Sequence, residues 1–429
     1  MKTKLLLASF FALAVAPMAS ADVELRITGA TAFRAAVHNG LKTGFFNGDF
    51  QFAHSGAAGS FSGASRSLWK GPVTGQGIVT IRCTWSGSVT GIHSVAVATS
   101  GPTAETTLLG VTYLTDANLV TAASASGGET SSRTTVGTAQ TSDLAFSDCY
   151  QSSTVYSSPS LTDEVVGIIP FIWVVNDTGV NYSTPANASS PTMLERYGFD
   201  NITAQQARAL MVQGSQPKSL LTGNVNDTKP VYVTGRDIGS GTRVICLAET
   251  GYGITKLLTH FQMTGASDVI SNLKVWPTGS YPNTTGNDPT PGNGGYLSGG
   301  TIAGLMINKS DDSFTITQAD GSSAGSASNG AHIVAWVGTS DAATAVAGGA
   351  AYLKYEGAKY TGSADDANIH NGQYTAWSNE HLFYSSLTAN QTTVKDMLKT
   401  SIDTNMGSAG IPTGSMNVFR QEEAGIVAP

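Results

Sequence analysis

The sequence predicts an α/β fold in two domains, each a largely parallel sheet flanked by helices. Three observations predict it. A strand, a turn of small residues and a helix recur in that order near Gly29, near Gly87 and near Gly239. One apolar run, V-V-G-I-I-P-F-I-W-V-V-N over 165–176, is broken by Pro170 and reads as a bent strand crossing between domains rather than as a helix. A chain of 429 residues is also ample for two separate cores.

Residues 1–21 open with Lys2 and Lys4, continue as an apolar run over 5–16 and end on Ala19, Ser20 and Ala21. That is the pattern of a secretory signal peptide cleaved before Asp22. The run is short for a bilayer and no other stretch approaches the length required, so a periplasmic or secreted chain without membrane insertion is expected. Val23, Leu25 and Ile27 alternate with Glu24 and Arg26 as a strand, small residues turn the chain, and 34–41 reads as a helix. Residues 45–77, rich in glycine, serine and aromatics, read as a loop or hairpin insertion. A strand over 78–85 leads through S-G-S-V-T-G at 86–91 into a short helix. Residues 101–141 are polar and read as an extension with one hairpin, after which 143–148 is a short apolar run closing on Asp148.

Beyond the crossover strand, helices are expected at 194–198 and from a Thr203 cap to Val212. A strand over 231–233 precedes the third glycine turn, a helix over 243–250 stops at Gly251, and 252–263 reads as further helix. Residues 279–300 form a Pro/Gly/Asn loop and 320–330 a low-complexity surface segment. Strands at 331–337, 349–355 and 373–384 and a helix over 392–405 complete the chain.

Charged residues make up only 12% of the sequence, so hydroxyls and amides keep the surface wet. A net charge of −7 with no basic stripe argues against nucleic acid as a partner, but leaves room for a local site that takes a small anion. Of three cysteines, Cys83 and Cys149 are the pair expected to bridge in an oxidising compartment, because both fall in the N-terminal half. Cys246 is expected as a buried thiol, and the spacings match no zinc pattern.

The stretch V-Y-V-T-G-R-D-I-G-S-G-T-R-V-I-C-L-A-E-T-G-Y-G over 231–253 carries the chemistry. A helix that starts at a glycine turn presents free backbone N–H groups and the positive end of its dipole, which favours an anion. Ser240 and Thr242 add hydroxyl donors and Arg236 a guanidinium. The same stretch also fits an ordinary N-capped helix after a tight turn.

Several stretches, in this order, resemble the phosphate-binding receptor family of bacterial ABC importers, which have the type II periplasmic-binding-protein fold. V-E-L-R-I-T-G-A-T-A-F over 23–33 resembles the opening strand and turn, and T-W-S-G-S-V-T-G over 84–91 the next turn. L-A-F-S-D over 144–148 resembles the segment that brings an aspartate to the anion, and 166–176 the crossover strand. R-D-I-G-S-G-T over 236–242 matches R-x-x-G-S-G-T, and N-G-Q-Y-T-A-W over 371–377 a late returning segment. The resemblance implies a phosphate ligand held by Arg236, Ser240, Gly241 and Thr242 from one domain. Ala32, Phe33 (through its backbone N–H), Ser88 and Asp148 would hold it from the other, with Ser86 as the competitor of Ser88. An aspartate there accepts the proton of a monohydrogen oxyanion and leaves a fully ionised sulfate unsatisfied.

The chain departs from the family pattern at Ala32, where a hydroxyl is usual, at Ile238, where an acid is usual, and at Arg34, which stands for a proline and adds a second cation. The resemblance further implies residues 22–165 with 338–429 as the first domain and 166–337 as the second. It implies a monomer that works with ABC transporter membrane subunits and needs no cofactor. Enzyme readings are weak: G-S-S-A-G at 321–325 formally matches a nucleophile elbow but sits in low-complexity sequence, and the seven histidines show no metal-ligand spacing. The rival to transport is a secreted surface or matrix-interaction protein that reuses the receptor fold.

Overall fold

The computed structural model describes residues 22–56, 60–98, 111–119, 133–176, 199–266, 269–276, 294–306, 314–327 and 331–429. Strand β1 (Val23–Gly29) buries Val23, Leu25 and Ile27 and leads through a turn at Gly29 into α1 (Arg34–Gly40). The insertion at 45–77 supplies β2 (Gln51–His54) and β3 (Arg66–Val73), an antiparallel pair laid on β4 (Gly77–Thr84). Helix α2 (Ser88–Ala98) follows, then β5 (Leu144–Ser147) and β6 (Thr162–Val175). The 101–141 extension lies partly outside the described residues; inside them Leu114 and Val136 form one antiparallel bridge.

The second half of the chain continues with β7 (Asn201–Ile202), α3 (Ala204–Gln213), β8 (Ser215–Pro217), α4 (Ser219–Thr222), β9 (Pro230–Thr234) and α5 (Gly241–Glu249). Next come β10 (Phe261–Ala266), β11 (Val269–Val275), α6 (Gly299–Met306), β12 (Phe314–Thr317) and β13 (Ser323–Ala327). The chain closes with β14 (His332–Gly338), α7 (Thr339–Ala347), β15 (Ala351–Tyr352), β16 (Lys354–Tyr355), α8 (Asp366–His370), β17 (Trp377–Tyr384) and α9 (Ala389–Asn405).

This is a mixed α/β fold, with a large sheet flanked by helices. The sheet has 11 strands in the order β2-β3-β4-β1-β5-β17-β6-β14-β9-β8, with β15 also on β6. The expectation of a largely parallel sheet holds only for β4-β1-β5 and for β14-β9. Strand β17 returns antiparallel between β5 and β6, and β6 runs antiparallel to β14. The cause is the length of β6. Fourteen residues rise about 45 Å, so one strand serves two partners: 162–170 pair with β17 and 171–175 with β14. Pro170, which has no N–H to give, stands where the ladder changes partner, and its carbonyl accepts from Thr339 Oγ1 at 3.1 Å. The apolar run is therefore a strand, as read from the sequence, and it continues through Pro170.

Three other expectations are corrected. Residues 252–263 do not continue the helix: Gly251 (φ 66°) and Gly253 (φ 110°) turn the chain with left-handed backbone, and β10 begins at Phe261. The low-complexity segment at 320–330 is at the surface as expected, most of its side chains facing solvent, but it also contains β13, whose backbone pairs with β12. The pattern gave no signal because no apolar face is buried there. Lastly, all three cysteines are free and buried. Strand β1 lies between β4, which carries Cys83, and β5, which precedes Cys149. Two strand spacings put about 10 Å between them, beyond the reach of a disulfide. Burial pushes the Cys83 thiol up to about 12. The signal peptide at 1–21, the helix at 194–198 and most of the loop at 279–300 lie outside the described residues.

Candidate functional site

Four turns meet, each following a strand: Thr31 to Phe33 after β1, Gly87 and Ser88 after β4, Asp148 after β5, and Arg236 to Thr242 after β9. Glycine is demanded where they touch. At Gly87 (φ 96°) an added Cβ would fall 2.5 Å from the carbonyl oxygen of Gly239. That carbonyl accepts from the Val89 backbone N–H at 3.1 Å. At Gly241, the first residue of α5, a Cβ would fall 1.7 Å from Asp148 Oδ1 and 2.7 Å from Ser88 Oγ. The missing side chain lets a carboxylate approach a helix N-terminus, where the dipole favours negative charge.

Asp148 is 1% exposed. Ser88 donates its hydroxyl to Oδ1 and Thr242 donates to Oδ2 at 3.2 Å. Ser378 holds the backbone by donating to the Asp148 carbonyl at 2.6 Å. Burial pushes the Asp148 carboxyl above the usual carboxylate range, against the pull of Ser88, Arg236 and Thr242. Ser86 is not in this set; its hydroxyl bonds Thr28 Oγ1 at 2.8 Å.

Arg236 is buried and spends three donors locally. Nε donates to the Tyr296 carbonyl at 2.9 Å, one terminal nitrogen to the Leu297 carbonyl at 2.9 Å, and the other to Thr31 Oγ1 at 3.0 Å. Thr31, one residue before Ala32, thus turns its hydroxyl onto this guanidinium. Asp237 turns back to accept from the Gly239 N–H at 2.8 Å and stays 3.9 Å from Arg236. Arg243, one turn into α5, donates to the Arg236 carbonyl at 3.2 Å. Ser240 is the N-cap of α5, yet its side chain caps nothing: Oγ is buried and has no hydrogen-bond partner.

Phe33 and Ala32 are wall rather than polar contact. The Phe33 ring is fully buried, its centroid 5.9 Å from that of Phe146, and Ala32 packs against Gly338. The structure thus brings Ser88, Asp148, Gly241 and Thr242 into one cluster, with Arg236 and Ser240 adjoining and Phe33 and Ala32 behind.

Sequence reasoning missed Glu380 on β17. It is fully buried, neither carboxylate oxygen has a hydrogen-bond partner among the described residues, and burial together with Asp148 pushes its pKa well up. Nothing in S-N-E-H-L-F could have flagged it, because a strand residue of this kind reads as solvent-facing. Among the described residues no cluster of His, Cys, Asp and Glu could hold a metal ion. Ser323, central to the G-x-S-x-G match, is exposed on β13. The arrangement can bind: hydroxyls, a guanidinium and a helix N-terminus surround one carboxyl.

No family model matches the chain, and no curated protein matches it. The solved structures it is similar to include substrate-binding receptors of phosphate ABC transporters. A phosphate-bound ABC transporter substrate-binding protein from Clostridium perfringens is 11% identical, covering 91% of this chain and 99% of its own, with a TM-score of 0.45. PstS from Borrelia burgdorferi is 11% identical over 91% and 100%, with a TM-score of 0.37. An ABC-type phosphate transport receptor from Vibrio cholerae is 15% identical over 62% and 79%, with a TM-score of 0.32. The architecture described above stands on the register of its own strands.

Proposed function

We propose that this chain is an exported solute-binding protein that closes two domains, 22–165 with 338–429 and 166–337, over a tetrahedral oxyanion. Inorganic phosphate is the first candidate and delivery to an ABC importer the role. The observation that carries the reading is the meeting of Asp148 with Gly241 and Thr242. It sets an acceptor, hydroxyl donors and a helix N-terminus, with Arg236 adjoining, around a buried point. The unpartnered Ser240 hydroxyl adds a donor with nothing yet to bond. Opening at β6 and at the end of β14, where the chain passes between these halves, would admit the anion, and reclosure would exclude water from each hydrogen bond. On binding, Ser88 and Thr242 turn their hydroxyl protons from Asp148 to the anion, Ser240, the N–H groups of the α5 first turn and Arg236 donate as well, and Asp148 takes the ligand's proton. The chain acts as a monomer and does no chemistry on the ligand.

Calorimetric titration with phosphate, arsenate and sulfate tests this. Phosphate and arsenate bind, sulfate does not, and Arg236→Ala weakens phosphate by about 100-fold, the loss of a charge-assisted pair. Absence of heat with every oxyanion, from protein shown free of carried-over ligand, sinks the reading. The fold would then serve as a scaffold for a surface partner.

A further inference from the structure

Helix α5 leaves a cavity of about 30 Å³ between its inner face and the sheet. Trp173 of β6, Trp336 of β14 and His260, just before β10, line it, together with Gly235. Arg236 and Thr242, which belong to the Asp148 site, form part of its wall. Every residue around it is buried except Gly235, which is partly exposed.

Each of the three rings keeps a buried nitrogen with no hydrogen-bond partner among the described residues: Trp173 Nε1, Trp336 Nε1 and His260 Nδ1. Trp336 is the register partner of Trp173, so both indoles rise from one face of the sheet, edge to face with centroids 5.4 Å apart. An indole N–H can only donate. His260 Nε2 faces the Gly294 carbonyl, which can only accept, so Nε2 carries the proton and Nδ1 the lone pair. Nδ1 turns toward Gly235: a Cβ placed on that glycine would sit 3.6 Å from it. Burial pushes the His260 pKa down to about 3, which keeps the lone pair in place at neutral pH. The walls therefore offer two donors and one acceptor.

We infer that this cavity is a built seat for internal water, held by Trp173, Trp336 and His260 beneath the turn that carries Arg236 and Thr242. The inference goes beyond the oxyanion reading and holds whether or not an oxyanion binds. Water has both the size and the complement. It accepts from the two indoles and donates to Nδ1, making the roughly three bonds that an internal water commonly makes. Each water needs about 10–15 Å³ of such space, so about two fit, whereas a benzene ring enters a cavity of about 150 Å³. An anion would meet the Nδ1 lone pair. A cation would meet two indole N–H groups and the guanidinium groups of Arg236 and Arg243 in the wall. The consequence is mechanical. A solidly packed floor transmits strain, but a floor of water lets α5 shift over the sheet by exchanging hydrogen bonds.

The test reads contacts between water and each indole N–H by NMR of protein isotope-labelled in tryptophan, together with a crystal structure at a resolution that shows ordered water. Trp69 and Trp85 are internal controls, because their indole N–H groups donate to Ser67 and His38. Trp173 and Trp336 are expected to show long-lived water contacts and the two controls none. Trp173→Phe and Trp336→Phe assign the signals, each by the loss of one; where one variant fails to fold, the other assigns its own signal and the crystal decides the second indole. The crystal is expected to show water within hydrogen-bond reach of both indoles and of His260 Nδ1. Contacts at Trp173 and Trp336 no stronger than at the controls overturn the inference. A cavity without ordered water, or with water bonded to none of the three nitrogens, overturns it as well.

Discussion

His38 is held neutral by its neighbours. The Trp85 indole N–H can only donate, and it donates to Nε2 at 3.0 Å. Nδ1 therefore carries the proton that bonds the Phe61 carbonyl at 2.7 Å. Burial pushes the pKa down to about 3, and His260 and His332 are pushed down to about 3 in the same way. A histidine whose folded pKa lies below its unfolded value of 6.5 binds fewer protons when folded. Its contribution is present above that pH and is lost as pH falls toward 3. Glu423 has the opposite sign: burial raises it from 4.5 to about 7, so its contribution is complete below 4.5 and is lost as pH rises through 7. Thermal scans from pH 4 to 8 should show the melting temperature falling in acid below about 6.5. His38→Gln should make that fall shallower, since His260 and His332 remain, and Glu423→Gln should raise the melting temperature at pH 8 but not at pH 4.5. An acid limb unchanged in His38→Gln would refute the assignment. At Gly241 the argument is steric: Gly241→Ala drives Asp148 off α5 and should cost about 2 kcal/mol of stability together with oxyanion binding, read by denaturant titration and calorimetry.

Two helices show how differently the same kind of cap is used. Thr203 accepts from the Gln206 N–H at 3.2 Å while Gln206 Oε1 accepts from the Thr203 N–H at 2.9 Å, a full capping box on α3. Ser240 occupies the same place on α5, and its side chain has no hydrogen-bond partner among the described residues. Thr203→Ala should therefore cost about 1 kcal/mol. Ser240→Ala should be neutral or slightly stabilising in the free protein, since it removes a buried unsatisfied hydroxyl, and should weaken the anion about ten-fold. Equal destabilisation by both would show that Ser240 is an ordinary cap. This scale is also where the sequence was most legible. Glycine turns and the Thr203 cap are local demands on one residue type, and each was found in place. The helix expected over 252–263 failed because β10 is set by its pairing with β11, a tertiary fact that outweighs local pattern. Thr31 and Glu380 escaped for a related reason. Their meaning comes from Arg236 and Asp148, each more than 200 residues away in sequence.

Across the whole molecule, the C-terminal segment ties α5 to the start of β17. Arg420 donates to Glu249 at the end of α5 at 3.0 Å and to the carbonyls of Thr375 and Trp377, and lies over the Trp377 ring. Its side chain is 3% exposed and that of Glu249 8%. Removing one partner strands the other charge in the interior, so Arg420→Ala should cost about 3 kcal/mol, measured by chemical denaturation. A loss below 1 kcal/mol would mean that Thr375, which donates to Glu249 Oε1 at 2.6 Å, carries the tie alone. Fold class and the order of turns could be read ahead of the structure. The single continuous sheet could not, because strand direction is decided by which late segment returns beside which early one. Helix α9 makes the same point about time. Gln391 donates to the Glu24 carbonyl at 3.1 Å, and Ser401 donates to the Gly40 carbonyl at 2.8 Å. The first strand and first helix thus wait for partners synthesised some 360 residues later. Closing loops of that length is slow, so an emerging chain stays pliable until nearly all of it exists, which is the condition in which a polypeptide can be threaded through a narrow pore.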